Sequence, residues 1–171
     1  MKIQFLIALL IASVASYAQA PAKTTITPST TTPAPVVAYG QPISLENAKK
    51  IVAAGQAYAV SKQYTVVIAI VDTGGNLVVL EKQDNTQIGS IEVAIGKAKT
   101  ANNFKRPTKV FEDAIANGGA GARVLSLPAI PIEGGEPIYS SDGKIIGAIG
   151  VSGMSSVQDA EVARAGLAAF K

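Results

Sequence analysis

The sequence predicts an α+β fold: a mainly antiparallel sheet of about five strands flanked by helices, in the order αββα-α-βββα. Two observations carry that expectation. The β-branched runs come in pairs joined by glycine turns, which is the pattern of hairpins and not of βαβ units. The other apolar residues recur at helical spacing behind recognisable caps.

The elements follow in order. Ser44 is an N-cap with Glu46 in the first turn, and Ala48, Ile51, Val52, Gly55 and Ala59 mark a helix to about Lys62. Thr65 to Val71 is continuous and β-branched, a strand buried on both faces. Asp72-Thr73-Gly74-Gly75-Asn76 is turn chemistry, and Leu77 to Glu81 returns as the second strand of a hairpin. Ile88 to Phe104 reads as a helix, with Ile91, Ala94, Ile95, Ala98 and Ala101 on one stripe. Pro107 opens a shorter helix from Thr108 to Ala116, stopped by Gly118-Gly119. Val124 to Leu127 is the expected third strand. Pro137 to Ser140 and Lys144 to Val151 form a second hairpin around Ser141-Asp142-Gly143. Ser155 and Gln158 make a capping box before a last helix to Phe170.

Ahead of this domain stand two segments of another kind. Met1-Lys2, the apolar run Ile3 to Val14 and the small residues Ser16 and Ala18 have the anatomy of a secretory signal. Cleavage after Ala18 is expected, with Ala20 as the other A-x-A site, and the run is too short to span a bilayer. Residues 19–42 hold, from Pro21 to Pro42, five Pro and six Thr with Lys23 as the one charge. Such a stretch has little to bury and is expected to be a disordered linker. The domain proper is then 43–171, and the mature protein is secreted or periplasmic.

Composition excludes much chemistry. The 171 residues are 48% apolar and carry 15 basic and 12 acidic side chains, scattered so that no nucleic-acid face forms. There is no His, so Ser-His-Asp catalysis and imidazole ligation are out; there is no Cys, so thiolate sites and disulfides are out as well. No catalytic residue is identified and no metal site is expected. Gly118-Gly119-Ala120-Gly121 follows a helix and precedes a predicted strand, the reverse of a dinucleotide loop. Gly150-Val151-Ser152-Gly153 leaves a strand and enters a helix, where free amides suit a carboxylate or phosphate, or where the glycines merely permit a tight turn. Ser152 lacks a base to activate it. Glu133-Gly134-Gly135-Glu136 has too few carboxylates for a calcium cage and reads as a surface loop.

In order, VDTGGNL, KAKTANNFKRPT, DGKIIGAIGVSG and QDAEVARAGL resemble the GlcG/HbpS family of haem-binding or haem-degrading proteins, and the likeness extends over 43–171. The resemblance implies a small antiparallel sheet flanked by helices, assembly into a homo-oligomer, and haem as cofactor. Where the family has KAYTA, this chain has Lys97-Ala98-Lys99-Thr100-Ala101, so the family's Tyr is Lys99 here. Haem iron takes His, Met, Cys or Tyr ligands. Of these the mature chain offers Met154, Tyr39, Tyr58, Tyr64 and Tyr139. Lys97, Lys99 or Arg106 would meet the propionates, unless each simply lies on a solvated helix face.

The candidate cofactor-binding residues are Lys97, Thr100, Phe104, Arg106, Thr108, Ser152, Gly153 and Ser155. The loop Gly150–Gly153, the cap Ser155-Ser156 and the stretch Phe104–Thr108 are expected to line one pocket. Its ligand is haem or, on the other reading, a small carboxylic acid of the glycolate type bound or turned over by the same groups. A purely structural oligomer is the third reading.

Overall fold

The computed structural model describes residues 36–170; the signal segment and linker residues 19–35 lie outside them. Helix α1 (Leu45–Ser61) is followed by β1 (Val67–Asp72), β2 (Leu77–Lys82), α2 (Ser90–Asn103) and α3 (Lys109–Ala116). A 3₁₀ segment (Gly119–Ser126) leads to β3 (Gly135–Tyr139), β4 (Ile145–Ser152) and α4 (Ser156–Ala168). The sheet has four strands in the order β2-β1-β4-β3, all neighbours antiparallel. The α+β class and the two hairpins are as expected. No described helix is long and apolar enough to cross a membrane.

The expected third strand, Val124 to Leu127, is instead 3₁₀ through Ser126, with Leu127 as its C-cap. Its backbone bonds locally, Gly121 N–H to Gly118 O and Leu127 N–H to Val124 O. One β-branched residue, Val124, between a Gly-Ala stretch and Pro128 is too little to hold a ladder, so the chain turns on itself.

Local chemistry explains the element ends. The Ser44 side chain accepts from the Asn47 amide at 3.2 Å. The Asp72 carboxylate accepts from the Gly74 and Asn76 amides at 2.8 and 2.9 Å, and Gly75 takes φ +77° in the same turn. Ser155 accepts from the Gln158 amide while Gln158 Oε1 accepts from the Ser155 amide, the reciprocal capping box.

Period-2 alternation sorts the sheet into two unlike faces. Val66, Ile68, Ile70, Ile149 and Val151 face α1 and α4 in the main core. The intervening Val67, Ala69, Val71 and Ala148 face α2, which answers with Ala94, Ala98 and Ala101. Both faces of β1 and β4 are therefore buried. Small residues on both sides let α2 settle almost onto the sheet backbone. A Cβ at Gly150 would stand 2.1 Å from Ala94 O and 2.5 Å from Ala98 N.

The last linker residues are ordered, which moves the start of the folded chain ahead of Pro42. Beyond Asp72 the β1 side of β4 is taken by Ala38–Gly40: Ile145 N–H donates to Ala38 O and Gly40 N–H to Ile145 O. Tyr39 donates to Asn102 O at 2.8 Å, and the Lys105 ammonium lies 4.4 Å from its ring centroid while donating to Val37 O. This strap ties the N-terminal segment to the end of α2.

Gly150→Ala should be strongly destabilising, because the new methyl meets backbone that cannot rotate away. Urea denaturation is expected to give a loss of about 1–3 kcal/mol or more. A loss within the ±0.5 kcal/mol typical of a surface change would mean that α2 packs less closely.

Candidate functional site: a buried ion pair and an apolar groove

Of the eight candidate residues, Lys97, Thr100, Thr108 and Ser152 are buried, Phe104 and Gly153 are half-buried, and Arg106 and Ser155 are exposed; none lines either concavity described below. Lys97 is 1% exposed. Its ammonium donates to Asp159 Oδ2 at 2.8 Å and to Val151 O at 3.0 Å. Asp159 Oδ1 accepts from the Met154 amide at 3.0 Å. Burial holds the Asp159 carboxyl above the usual aspartate range, against the pull of the Lys97 ammonium. A solvated helix face was the alternative for this lysine, and the structure places it in the interior instead.

Thr108 is fully buried and its hydroxyl accepts from the Gly135 amide at 2.9 Å. Thr100 is buried too; its hydroxyl donates to Gly96 O at 2.7 Å and accepts from the Ile130 amide at 2.8 Å. Ser152 bonds Ser90, hydroxyl to hydroxyl, at 3.2 Å. Gly153 is closed against the entry to β1, where a Cβ would lie 2.2 Å from Thr65 O. Three amides at the start of α4 are met by protein groups: Asp159 takes the Met154 N–H and the capping box takes those of Ser155 and Gln158, while the Ser156 hydroxyl donates to Glu112 at 3.1 Å. At the loop–helix junction the Met154 amide thus meets the chain's own Asp159 carboxylate.

Phe104 and Arg106 stay nearer the surface. The Phe104 ring meets Phe111 edge-on at 5.3 Å between centroids. Arg106 is exposed, its Nε donates to Phe104 O at 2.9 Å, and its guanidinium lies 5.8 Å from the Phe111 ring centroid. Ser155 is spent in the cap, and Lys99 is exposed.

The stretch Glu133–Glu136 is also more buried than a surface loop. Glu133 is 5% exposed and accepts from Arg164 at 3.2 Å, with Glu136 at 3.6 Å from the same guanidinium. Burial raises the Glu136 carboxyl above the usual glutamate range; Arg164 opposes the rise and Glu133 adds to it. Among the described residues no group of three carboxylates, or of other metal-binding side chains, gathers to hold a metal.

The surface offers a concavity that sequence reasoning missed. A groove of about 560 Å³ runs between the β3–β4 hairpin and the end of α4. It is lined by residues 137–141, Ile146, Leu167 and Phe170. A β-bulge shapes it: Ile138 pairs with Gly147 and Tyr139 with Ile145, which leaves Ile146 as the extra residue of β4. Beside it lies a smaller polar hollow of about 390 Å³, lined by the strap residues Tyr39–Gln41, by Asp142 and Lys144, and by Ser140 and Ile146, which it shares with the groove. Lys144 and Asp142 pair at 2.8 Å on this rim. The Lys144 and Ser140 hydrogen bonds bring the Asp142 carboxyl down to about 2, and Asp142 raises the Lys144 ammonium, so both stay charged at neutral pH. Apolar walls with a charged and hydroxyl-bearing rim suit a flat apolar molecule with polar ends. Haem is of that kind, and the groove residues fit its chemistry.

An antiparallel four-stranded sheet with a closely set helix on one face and two on the other defines the class of domain. The family model described as "Haem degrading protein HbpS-like" matches residues 43–168, and the chain belongs to that family. Protein GlcG of Escherichia coli (strain K12) is 40% identical over 110 residues, 64% of this chain and 81% of that protein. The crystal structure of HbpS superposes with a TM-score of 0.70 at 29% identity, covering 79% of this chain and 94% of that one. The crystal structure of a PduOC:heme complex gives 0.68 at 30% identity, over 75% and 94% of the two chains.

The buried pair gives a sharp expectation. Lys97→Met leaves Asp159 buried without its cation and should cost about 3–5 kcal/mol in urea denaturation. Adding Asp159→Leu should return most of that loss; a double variant as unstable as the single one would show that the two groups act separately.

Proposed function

We propose that this chain is an exported haem-binding protein that takes haem into the groove between the β3–β4 hairpin and α4. The observation that carries the reading is the groove itself. Its volume of about 560 Å³ falls within the roughly 300–1,000 Å³ usual for ligand pockets. Membership of a haem-associated family and a relative whose structure is a haem complex support it. Bound haem would bring an iron centre with one or two open positions. The chain's own part is to bind and orient: Ile138, Leu167 and Phe170 cover apolar surface, Ser141 offers a hydroxyl, and Lys144 offers a cation to a carboxylate. Its exposed pair with Asp142 is worth little, so exchanging partners is cheap. The small-acid reading depends on the amides at the start of α4, of which Asp159 and the capping box already take those of Met154, Ser155 and Gln158.

Export rests on the N-terminal signal anatomy. Assembly into a homo-oligomer draws support from exposed apolar side chains such as Ile88 (82%), Val60 (67%) and Leu125 (67%). Intact-mass analysis of exported protein should give a chain starting near Gln19, and light scattering on the same sample a mass above one subunit. A retained Met1 would overturn the first, a monomer at micromolar concentration the second.

Haemin titration of the mature protein should give a saturable, shifted Soret band. Phe170→Asp puts a charge in the groove and should weaken binding about tenfold or more, roughly 1.4 kcal/mol. Arg106→Ala should leave affinity unchanged, since that guanidinium is tied to Phe104 O and Phe111. The converse result, with Arg106→Ala weakening haem and Phe170→Asp silent, would move the site to the 104–108 segment.

A further inference from the structure

This inference rests on the haem reading and names the group that reaches the iron. Without His or Cys, the candidates among the described residues are four phenols and one thioether. Three of the phenols are already spent. Tyr39 donates to Asn102 O and lies under the Lys105 ammonium. Tyr58 and Tyr64 both donate to the Glu161 carboxylate, at 3.3 and 3.4 Å. Met154 is at the surface but is not part of the groove wall.

Tyr139 differs on each count. It is 44% exposed, its hydroxyl has no hydrogen-bond partner among the described residues, and it is one of the groove's lining residues. It also sits at the bulge, where the register step between Ile138 and Tyr139 breaks regular pairing at the end of β3. Bulges re-aim side chains and recur beside functional sites. The amine on the rim, Lys144, is held as an ammonium by Asp142 and has no lone pair to give. The Thr100 hydroxyl is buried, with a carbonyl and an amide as its partners.

We infer that Tyr139 is the axial ligand of ferric haem bound in this groove. Tyrosine is an established haem ligand type, and its anionic oxygen favours the ferric state. On binding, Tyr139 gives its phenolic proton to solvent and its oxygen donates an electron pair to iron; no electron is transferred. The remaining groove residues would supply apolar cover, and Ser141 together with Lys144 of the adjoining hollow would be the groups to meet carboxylates.

The test uses the mature protein loaded with ferric haemin, read by absorption and resonance Raman spectroscopy alongside the dissociation constant. The wild type should show phenolate-to-iron charge transfer and tyrosinate ring modes. Tyr139→Phe keeps the ring and the groove's shape; it should abolish both signatures and weaken binding severalfold. Its melting temperature is expected to stay near wild type, because the hydroxyl bonds no other described residue. Tyr64→Phe and Met154→Leu should leave the spectra unaltered. Saturable binding with an unaltered Tyr139→Phe spectrum, or signatures lost in either control variant, overturns the assignment and leaves the haem reading standing. Absence of saturable binding to the wild type overturns both.

Discussion

Helix α2 lies so close to β4 that backbone atoms of Ala94 and Ala98 fill the space a side chain would need at Gly150. The rest of the domain is arranged around that approach. It requires small residues on both surfaces, and it leaves no room for the large side chains that would normally seal the layer. The same crowding recurs at the next strand, where a Cβ at Gly135 would stand 2.5 Å from Lys97 O. The long, thin Lys97 side chain fills what remains and ends at Asp159 and Val151 O. One ammonium thereby ties α2 to the end of β4 and the start of α4. A buried pair of this kind adds little net stability compared with apolar packing, but removing one partner is costly. Its geometric effect is to hold the first turn of α4 against the sheet.

Much of this order was legible in the residues, and the exceptions have physical causes. The double burial of β1 followed from its unbroken β-branched run, and the turns and caps followed from Asp72, Ser44, Ser155 and Gln158. Lys97 was misplaced because its charge spoke for solvent while its position spoke for the core. It stands three residues after Ala94 and four before Ala101, on the face that both bury. Asp159 carries the same signal on α4, next to Ala160 and with Val162 and Ala163 following. Periodicity outranked polarity at both positions, and two opposite charges on the buried faces of two helices were the clue that they pair. Val124–Leu127 failed for the converse reason: β-propensity without a partner edge is not a strand.

The candidate site was less legible than the fold. Glycines and bases drew attention to the β4–α4 junction, and that junction is a real electrostatic feature. What the sequence alone does not reveal is that Asp159 and Glu112 reach it from within the chain. The groove, by contrast, is made of ordinary strand and helix ends: Ile138, Ile146, Leu167 and Phe170 read as core. Only the bulge and the shortness of the edge strand turn them into a concavity, and register is a property of pairing that no single strand displays.

The position of the groove follows from the same accounting of strand lengths. β4 runs to Ile145, whereas β1 ends opposite Gly147 and β3 ends with a register step. The two sides of that overhanging end are treated differently. On the β1 side the strap Ala38–Gly40 supplies the missing hydrogen bonds, fixed by Tyr39 and Lys105. On the β3 side Tyr139 pairs with Ile145, and the chain turns away through Ser140 to Gly143. Apolar surface of Ile138 and Ile146 is then covered by α4 only as far as Leu167 and Phe170, and the space beyond is the groove. A strap on one side and an open wall on the other leave a cavity whose walls are strand, turn and helix end, with their groups already held in place before anything enters.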